Sequence, residues 1–283
     1  MALARLASMR ELQKVIIEEL GVKPHIDPTH EIDRRVEFLA DYASNAGVEG
    51  FVLGISGGVD STLAGYLAQQ AAETLRNRGT DARFHAMRLP HGVQHDEDDA
   101  QLALDFISPD QVHTFNIEKS VTGVDVAYRE AFGNRLADYH RGNVKARLRM
   151  TVQYAVAGEN NALVIGTDHA AESVTGFFTK FGDGGADILP NFTLNKRQVR
   201  QILQHLGVDE HIWSKAPTAD LLDDTPGQLD ETELGITYDE IDDYLEGQHI
   251  DDDAAARLER HYLSTRHKRT VPVSLLDDWW KTG

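Results

Sequence analysis

The 283-residue sequence contains no cysteine. This absence excludes disulfide bonds, thiolate metal sites and any cysteine nucleophile. The chain also lacks an apolar run of about 18 residues, so no membrane-spanning helix is predicted. Its first 21 residues predict an amphipathic helix interrupted by charges, unlike the apolar centre of a signal peptide. We therefore expect a cytoplasmic protein.

Basic residues are scarce in one part of the chain. Residues 209–253 hold 16 Asp or Glu against one lysine, Lys215, which accounts for −15 of the net charge of −18. Such a charge run is typical of a solvated face. It also argues against a nucleic-acid partner on that side, because phosphate backbones are bound by Lys and Arg. The overall composition, 41% hydrophobic and 26% charged, is that of a globular protein with a sizeable core.

Short apolar segments alternate with helical patterns along the first three quarters of the chain. This alternation predicts right-handed βαβ units, and hence an α/β fold with a doubly wound parallel sheet, helices on both faces and a single domain. The predicted strands are residues 51–55, 82–89, 111–117 and 162–166. One predicted helix, residues 142–161, has an apolar stripe of Val144, Leu148, Val152 and Ala155. In such sheets, ligands bind at the carboxyl ends of the strands.

The first predicted strand runs directly into Ser56-Gly-Gly-Val-Asp-Ser61, which we call the phosphate loop. Its glycines allow consecutive backbone N–H groups to point at one anion, and the following helix presents its N-terminus there. The Walker pattern would place a lysine where Asp60 stands, so this is a different phosphate site. An acid beside phosphates requires a cation such as Mg²⁺ between them. The loop resembles that of the ATP pyrophosphatases; the alternative is a strand-to-helix turn without a ligand.

A second candidate segment, Gly166-Thr-Asp-His-Ala-Ala-Glu172, follows the strand at residues 162–166. We predict that Thr167, Asp168 and Glu172 lie in a loop there, and that Glu172 completes the Mg²⁺ shell that Asp60 begins. The alternative is a helix-capping threonine with acids near a positive helix end. His169 is predicted to be structural, with no metal assigned to it.

Several later segments make the chain resemble ammonia-dependent NAD synthetase over roughly residues 22–281. They are Phe177-Phe-Thr-Lys-Phe-Gly-Asp-Gly-Gly-Ala-Asp187, Asn195-Lys-Arg-Gln198, Pro217-Thr-Ala-Asp-Leu221, Asp230-Glu-Thr-Glu-Leu-Gly235 and His267-Lys-Arg269. The resemblance implies conversion of deamido-NAD to NAD with ATP and ammonia, through an acyl-adenylate, releasing AMP and pyrophosphate as the last step of NAD biosynthesis. It also implies an adenine-nucleotide α-hydrolase-like fold and a homodimer. The expected organisation is N-terminal helices 1–47, a nucleotide-binding core 48–207, and a lid loop with acidic C-terminal helices 208–283.

The resemblance also implies site residues. The expected ATP contacts are Gly54, Ile55, Ser56, Gly57, Gly58, Val59, Asp60, Ser61, Thr167, Lys196 and Thr218, with Mg²⁺ on Asp60 and Glu172. The expected deamido-NAD contacts are Arg147, Lys180, Asp187, His267 and Lys268. Arg147 alone, on a basic helix, would rather indicate a solvated face. Asp183 and Asp187 are candidates for taking a proton from ammonium, or are turn residues.

Two departures from the family pattern, Val199 and Asn191, make the local packing around them uncertain. Residues 214–235 have no regular period, which predicts a mobile lid. Related functions that share the phosphate loop are GMP synthesis, asparagine synthesis and tRNA sulfuration, the last disfavoured by the missing cysteines. From a different class, a non-catalytic ATP-binding regulator would need the phosphate loop but not the later segments.

Overall fold

The structure is a computed structural model and describes residues 10–92, 97–216 and 230–281. Its centre is a parallel sheet of four strands in the order β3-β2-β1-β4, as far as the described residues go. The strands are β1 (Gly50–Gly54), β2 (Arg83–Arg88), β3 (Gln111–Thr114) and β4 (Leu163–Val164). Ile188 extends this order by a parallel bridge to Ile165. The predicted parallel sheet is confirmed.

Helices cover both faces of the sheet, as predicted. The helices that precede β4 in the chain are α1 (Glu11–Leu20), α2 (Pro28–Ala46), α3 (Val59–Asn77), α4 (Glu97–Ile107), α5 (Glu118–Phe132) and α6 (Asp138–Glu159). The later helices are α7 (Ala170–Thr175), α8 (Lys196–His205), α9 (Glu210–Trp213), α10 (Asp230–Leu234), α11 (Tyr238–Leu245), α12 (Asp252–Ser264) and α13 (Arg266–Arg269). Helix α3 packs against β1, β2, α2, α4 and α8, whereas α6 packs against β1 and β4 on the other side.

The largest hydrophobic core lies between the sheet and α3. An apolar stripe of α3 is fully buried there: Leu63, Leu67, Ala71 and Leu75. A residue every fourth position keeps one helix face on the sheet, so the stripe and the buried strand β1 form a single core. This core fixes the start of α3, and therefore the phosphate loop, against the sheet.

A second hydrophobic cluster joins the two ends of the chain. Residues of α1, α7, α11 and α12 form it, with Ile16, Leu20, Val174, Tyr244 and Leu258 buried at its centre. The N-terminal helix α1 therefore packs on C-terminal elements rather than on the sheet.

Some expectations about elements are wrong. Helix α5 was not predicted, and Glu172 lies in helix α7 rather than in a loop. The stripe predicted for α6 is not its buried face: Val144, Leu148 and Val152 are half-buried, Ala155 is exposed, and Gly142, Lys145, Ala146 and Ala157 are buried instead. Small residues face the neighbouring segments there, so apolar periodicity does not identify the packed side.

Two further expectations need correction. Residues 230–234, part of the predicted mobile lid, form helix α10. In the acidic segment, Asp230 and Asp242 are buried, so that segment is not purely a solvated face. Searched over the described residues, no helix is long and apolar enough to cross a membrane.

Candidate active site

The phosphate loop leaves strand β1 and enters helix α3 with little chain between them. Gly58 is the N-cap of α3 and has no side chain to bind the first backbone N–H groups of the helix. The hydroxyls of Ser56 and Ser61 lie 3.0 Å apart, and Ser61 also bonds the carbonyl of Gly58 at 3.2 Å. These hydroxyls hold the loop in shape while the helix N–H groups stay available for an anion.

Gly57 is the position of the loop that cannot carry a side chain. Its φ is +81°, and a Cβ there would lie 2.5 Å from the backbone nitrogen of Ala100 and 2.7 Å from the carbonyl carbon of Asp99. The loop therefore rests directly on the first turn of α4. This close approach requires glycine both for its backbone conformation and for space.

Three ligating side chains meet next to the loop. Atoms of Asp60, His169 and Glu172 all lie within 4.8 Å of one another. Nε2 of His169 is 3.3 Å from Oδ1 of Asp60 and 3.7 Å from Oε1 of Glu172. That Asp60 oxygen is buried and makes no hydrogen bond to any described residue. A buried carboxylate oxygen without a partner, beside a second carboxylate, fits a bound divalent cation.

The pKa values of the two acids in this group are shifted in opposite directions. Burial alone would raise the pKa of Asp60, but Lys196, with Nζ 2.7 Å from Oδ2, and His169 hold the pKa of that carboxyl well below its usual range. For Glu172, burial dominates and raises the pKa to about 8, with the charges of Asp60 and Asp168 adding to the effect. A cation placed between the two acids would stabilise the ionised form of both.

Asn191 connects the two loops that carry this group. Its side chain is fully buried, and its amide nitrogen donates to the backbone oxygen of Asp60 at 3.0 Å and of Thr167 at 3.4 Å. The polar residue that interrupts an apolar segment is thus a tie between two strand ends. The other departure, Val199, is fully buried in the main core, where it packs as an ordinary apolar residue of α8.

A cavity of about 600 Å³ opens beside the phosphate loop. Most of the predicted nucleotide-binding residues line it: Gly54, Ile55, Ser56, Gly58, Val59, Asp60, Ser61, Thr167, Glu172 and Lys196. Gly57 does not line the cavity, because this residue of the loop faces the first turn of α4. Thr218 lies outside the described residues, so its contact with ATP stays a prediction. The cavity is also lined by residues of the 176–183 segment and by His261, Thr265 and Lys268 near the C-terminus.

Four predicted substrate-binding residues form a connected group, here called the basic rim: Arg147, Lys180, His267 and Lys268. The guanidinium of Arg147 donates to the backbone oxygen of Lys180 at 3.2 Å, and Nζ of Lys180 donates to that of His267 at 2.6 Å. Nζ of Lys268 donates to the backbone oxygens of Gly176 and Phe178. The rim thus joins α6, the 176–183 segment and α13, and only Lys268 among its members lines the cavity.

The two predicted acids of the Gly-rich segment lie in different surroundings. Asp183 lines the cavity and accepts a hydrogen bond from the backbone of Thr179 at 3.0 Å. Burial raises its pKa, although Lys268 partly offsets that effect. Asp187 instead binds the hydroxyl of Tyr154 at 3.0 Å and the backbone nitrogen of Val164 at 2.8 Å, which places it at the end of β4. Both Asp187 oxygens are therefore used within the protein.

Residues 31–272 match the NAD synthase family. The chain belongs to that family. The matched span contains the phosphate loop, the Asp60–His169–Glu172 group, Lys196 and Asp183, so the residues that surround the cavity are those of an NAD synthase family member. The family expectation from the sequence is confirmed.

Individual relatives are similar over nearly their whole length. The NH(3)-dependent NAD(+) synthetase of Bacillus velezensis is 59% identical over 270 residues, which is 95% of this chain and 99% of that protein. The crystal structure of NAD+ synthetase from Burkholderia pseudomallei is 49% identical and superimposes with a TM-score of 0.80, covering 92% of this chain and 97% of its own. An NMN synthetase from Francisella tularensis is 36% identical with a TM-score of 0.79, covering 89% and 100%.

The structure adds residues to the candidate site that could not be assigned from the sequence. His169 joins Asp60 and Glu172, and Lys215, Asp230 and Glu233 line the cavity. Lys215 had a signal in the sequence, since it is the one lysine among 16 acids in residues 209–253. Asp230 and Glu233 lie in the family-like segment Asp230–Gly235, but the charge pattern did not show that Asp230 is buried, because a buried acid and a solvated acid are identical in sequence.

Proposed function

We propose that this protein is an ammonia-dependent NAD synthetase that amidates deamido-NAD to NAD while cleaving ATP to AMP and pyrophosphate. The observation that carries this is one cavity that is lined both by the phosphate loop and by Asp183 and Lys268. A nucleoside triphosphate and a carboxylate substrate can therefore meet in one cavity. The family membership and the high identity to named ammonia-dependent synthetases support the same reaction.

The first chemical step has to activate a carboxylate, which is a poor acyl electrophile. If the phosphate loop binds the β- and γ-phosphates, the α-phosphorus of ATP is left open to attack by the nicotinate carboxylate. The oxygen–phosphorus bond to pyrophosphate breaks as the acyl-adenylate forms. Lys196 and the N–H groups of α3 then stabilise the negative charge on the leaving pyrophosphate.

Asp60 and Glu172 are the residues that would hold Mg²⁺, and the unpartnered Oδ1 of Asp60 supports this assignment. The bound ion would supply positive charge to the phosphates of ATP. His169 stands against both carboxylates and is positioned to orient them. The position of Lys196 on the other oxygen of Asp60 keeps that acid ionised.

Ammonia completes the reaction by displacing AMP from the acyl-adenylate. At neutral pH it arrives largely as ammonium, which must lose a proton before it can attack. Asp183 is the better placed of the two candidate bases, because it faces the cavity while both oxygens of Asp187 are engaged elsewhere. Burial raises its pKa, which makes Asp183 a stronger base than an ordinary aspartate.

Binding of deamido-NAD is assigned to the basic rim. Lys268 lines the cavity, as Asp183 does, and the other rim residues are linked to the same 176–183 segment. These cations are suited to bind the phosphates of a dinucleotide. Asp187 does not line the cavity, and its role there is to hold the end of β4 through the hydrogen bond from Val164. We assign ATP, deamido-NAD and ammonia as the substrates on this basis.

We also propose a homodimer, supported by an uncovered apolar surface. Four apolar side chains are exposed on the edge strand β3, just after it and on helix α5. They are Val112, Phe115, Val126 and Phe132, at 49%, 44%, 50% and 67% of their surface. An exposed edge strand beside exposed aromatic side chains is typical of an interface between protein chains. The half-buried Val144 and Leu148 of α6 lie in the helix that packs on α5. Light scattering coupled to size exclusion tests this, and a monomer at micromolar concentration would contradict it.

The reaction is tested by incubating the purified protein with deamido-NAD, ATP, MgCl₂ and an ammonium salt and measuring NAD, AMP and pyrophosphate. With ¹⁸O in the substrate carboxylate, one labelled oxygen should appear in AMP. Formation of ADP and inorganic phosphate would contradict the adenylate mechanism. Nicotinic acid mononucleotide should be assayed in parallel, because one similar structure is named an NMN synthetase. Faster amidation of the mononucleotide would assign the other substrate.

A further inference from the structure

Helix α11 places a buried carboxylate against the start of helix α8. Asp242 is 1% exposed, and its Oδ1 accepts a hydrogen bond from the backbone N–H of Lys196 at 3.1 Å. Its Oδ2 accepts one from the backbone N–H of Arg197 at 2.7 Å. Lys196 and Arg197 are the first two residues of α8. Both oxygens of Asp242 therefore bind the main chain that carries Lys196.

The rest of the N-terminus of α8 is capped by its own residues. The side chain of Asn195 accepts a hydrogen bond from the backbone N–H of Gln198, and the side chain of Gln198 accepts one from that of Asn195. This capping box does not include the N–H groups of Lys196 and Arg197, which have no partner within the helix. Asp242 supplies their acceptors. Its carboxylate also lies at the positive end of the helix dipole, which favours a negative charge there.

The two helices are anchored in different hydrophobic cores. Helix α8 is held by Val199 in the main core, whereas α11 is held by Ile241 in the second cluster. The hydrogen bonds of Asp242 join these two parts of the protein at Lys196, whose amine lies 2.7 Å from Asp60. A shift of the start of α8 would therefore move that amine relative to the phosphate loop.

Helix α11 also contacts the other end of the Lys196 side chain. Nζ of Lys196 lies 5.1 Å from the ring centroid of Tyr238, which is the first residue of α11. Tyr238 is buried, and its hydroxyl donates to the carboxylate of Asp230 at 3.2 Å. The negative face of an aromatic ring stabilises a nearby cation. One helix thus holds the backbone of Lys196 through Asp242 and lies beside its amine through Tyr238.

We propose that Asp242 is a positioning residue for the reaction, which fixes the start of α8 so that the amine of Lys196 stays beside Asp60 and the phosphate loop. The inference rests on the proposed function, in which Lys196 stabilises the charge on the leaving pyrophosphate. It extends that function to a residue that does not line the cavity. The alternative is that Asp242 only ties α11 to α8. The two roles differ in how Asp242 and Lys196 depend on each other.

The test is a double-variant cycle with the purified full-length protein, assayed for NAD formation. Asp242→Asn keeps the size of the side chain but replaces one acceptor oxygen by an NH₂ group, which cannot accept from a backbone N–H. Its kcat should fall roughly 10- to 100-fold, as a displacement of up to about 1 Å can cause, with little change in the KM for deamido-NAD. In a chain that already carries Lys196→Met, Asp242→Asn should change kcat by less than about twofold, because no amine remains to be positioned.

Asp243→Asn is the matched control. Asp243 is the next residue of α11, but its carboxylate accepts from the guanidinium of Arg197 at 2.8 Å rather than from the backbone of α8. Its kcat should stay close to that of wild type. All variants are assayed at a temperature at which circular dichroism shows them folded.

Two results of the cycle would overturn the inference. One is a normal kcat in Asp242→Asn. The other is an equal loss from Asp242→Asn with and without Lys196→Met, which would leave Asp242 as a structural tie only. Failure of the wild-type protein to form NAD would contradict the proposed function instead. If Asp242→Asn does not fold, Asp242→Ser, which keeps a hydroxyl acceptor, takes its place in the cycle.

A second measurement needs no variant at Asp242. Labelling of lysine with ¹⁵N and amide hydrogen exchange followed by NMR report the backbone N–H of Lys196 directly. Its exchange should be slow, because this N–H is buried and bound to Asp242. Lys119, the second residue of α5, is the comparison, since the N-cap of that helix, Ile117, makes no side-chain cap hydrogen bond. Equally fast exchange at Lys196 and Lys119 would show that the start of α8 is not held and would overturn the inference.

Discussion

The amine of Lys196 lies 2.7 Å from the carboxylate of Asp60, so that the first residue of α8 is paired with the first turn of α3. Burial alone would lower the pKa of Lys196, but the charges of Asp60 and Glu172 more than offset this and raise the pKa above its ordinary value. The lysine therefore stays charged inside the protein. This relationship gives the phosphate loop a permanent cation without a mobile side chain.

Replacing Lys196 should affect both turnover and folding. Lys196→Met should lower kcat by roughly 10²- to 10³-fold, as expected when one preorganised group that stabilises developing charge is removed. It should also lower the melting temperature, because Asp60 is left without its cation. Lys23→Met, which removes a half-exposed lysine 3.7 Å from Glu31, should change neither quantity appreciably. Thermal unfolding and steady-state kinetics measure the two effects, and a normal kcat in Lys196→Met would contradict the role.

Asp60 and Glu172 should act as one unit. Asp60→Asn and Glu172→Gln should each raise the Mg²⁺ concentration needed for half-maximal activity and weaken Mn²⁺ binding measured by electron paramagnetic resonance. Because both are assigned to the same ion, the double variant should lose less than the sum of the two single losses in free energy. Strict additivity with unchanged Mn²⁺ binding would show that at least one of the acids has a structural role.

The hydrogen bonds of Asn191 should stabilise the fold at the candidate site. Asn191→Leu keeps the side-chain volume but removes the donor to Asp60 and Thr167, and we expect a loss of about 1–3 kcal/mol in the free energy of unfolding. Asn160→Leu is the control, because the exposed amide of Asn160 donates within its own helix. Urea unfolding of the three proteins gives the comparison. Equal stability of Asn191→Leu and wild type would mean that water replaces the lost donor.

The strands, the phosphate loop and its helix could be predicted because their signals are local. A continuous apolar strand, two glycines and a four-residue stripe such as Leu63, Leu67, Ala71 and Leu75 each depend on neighbours in the chain. The family segments then placed Asp60, Glu172 and Lys196 at one site, and the structure brings these three together. Their binding roles remain predictions.

What could not be predicted depends on contacts between distant segments. Asn191 was noted only as a polar interruption, since nothing near it in sequence shows that its amide reaches two other loops. The packed face of α6 was assigned to Val144 and Leu148, but burial there follows small residues such as Gly142 and Ala146 that let other segments approach. Likewise, Lys215 meets Asp99 only because α9 packs on α4.

The pH dependence should report Asp183. Only its ionised form can accept a proton from ammonium, and burial raises its pKa, so activity should be lost at a higher pH than an ordinary aspartate would cause. Initial rates at fixed total ammonium should therefore fall as the pH is lowered through the raised pKa of Asp183. Asp183→Asn should be slower throughout and should follow only the fraction of free ammonia. Asp187→Asn is the comparison, and an equal change of pH profile in that variant would reassign the base.

The nitrogen source can be argued from what the chain lacks. Glutamine-hydrolysing domains of the kind that feed amide synthesis use a cysteine thiolate, which forms a thioester with the glutamyl group. The chain has no cysteine, and its similarity to ammonia-dependent synthetases covers 95% of its length. The purified protein should therefore make NAD with ammonium salts and fail with glutamine that has been freed of ammonia. Adding a separate glutaminase should restore synthesis from glutamine, which controls for inhibition by the amino acid itself. Comparable NAD formation from ammonia-free glutamine by the protein alone would show that this chain hydrolyses the amide without a thiolate.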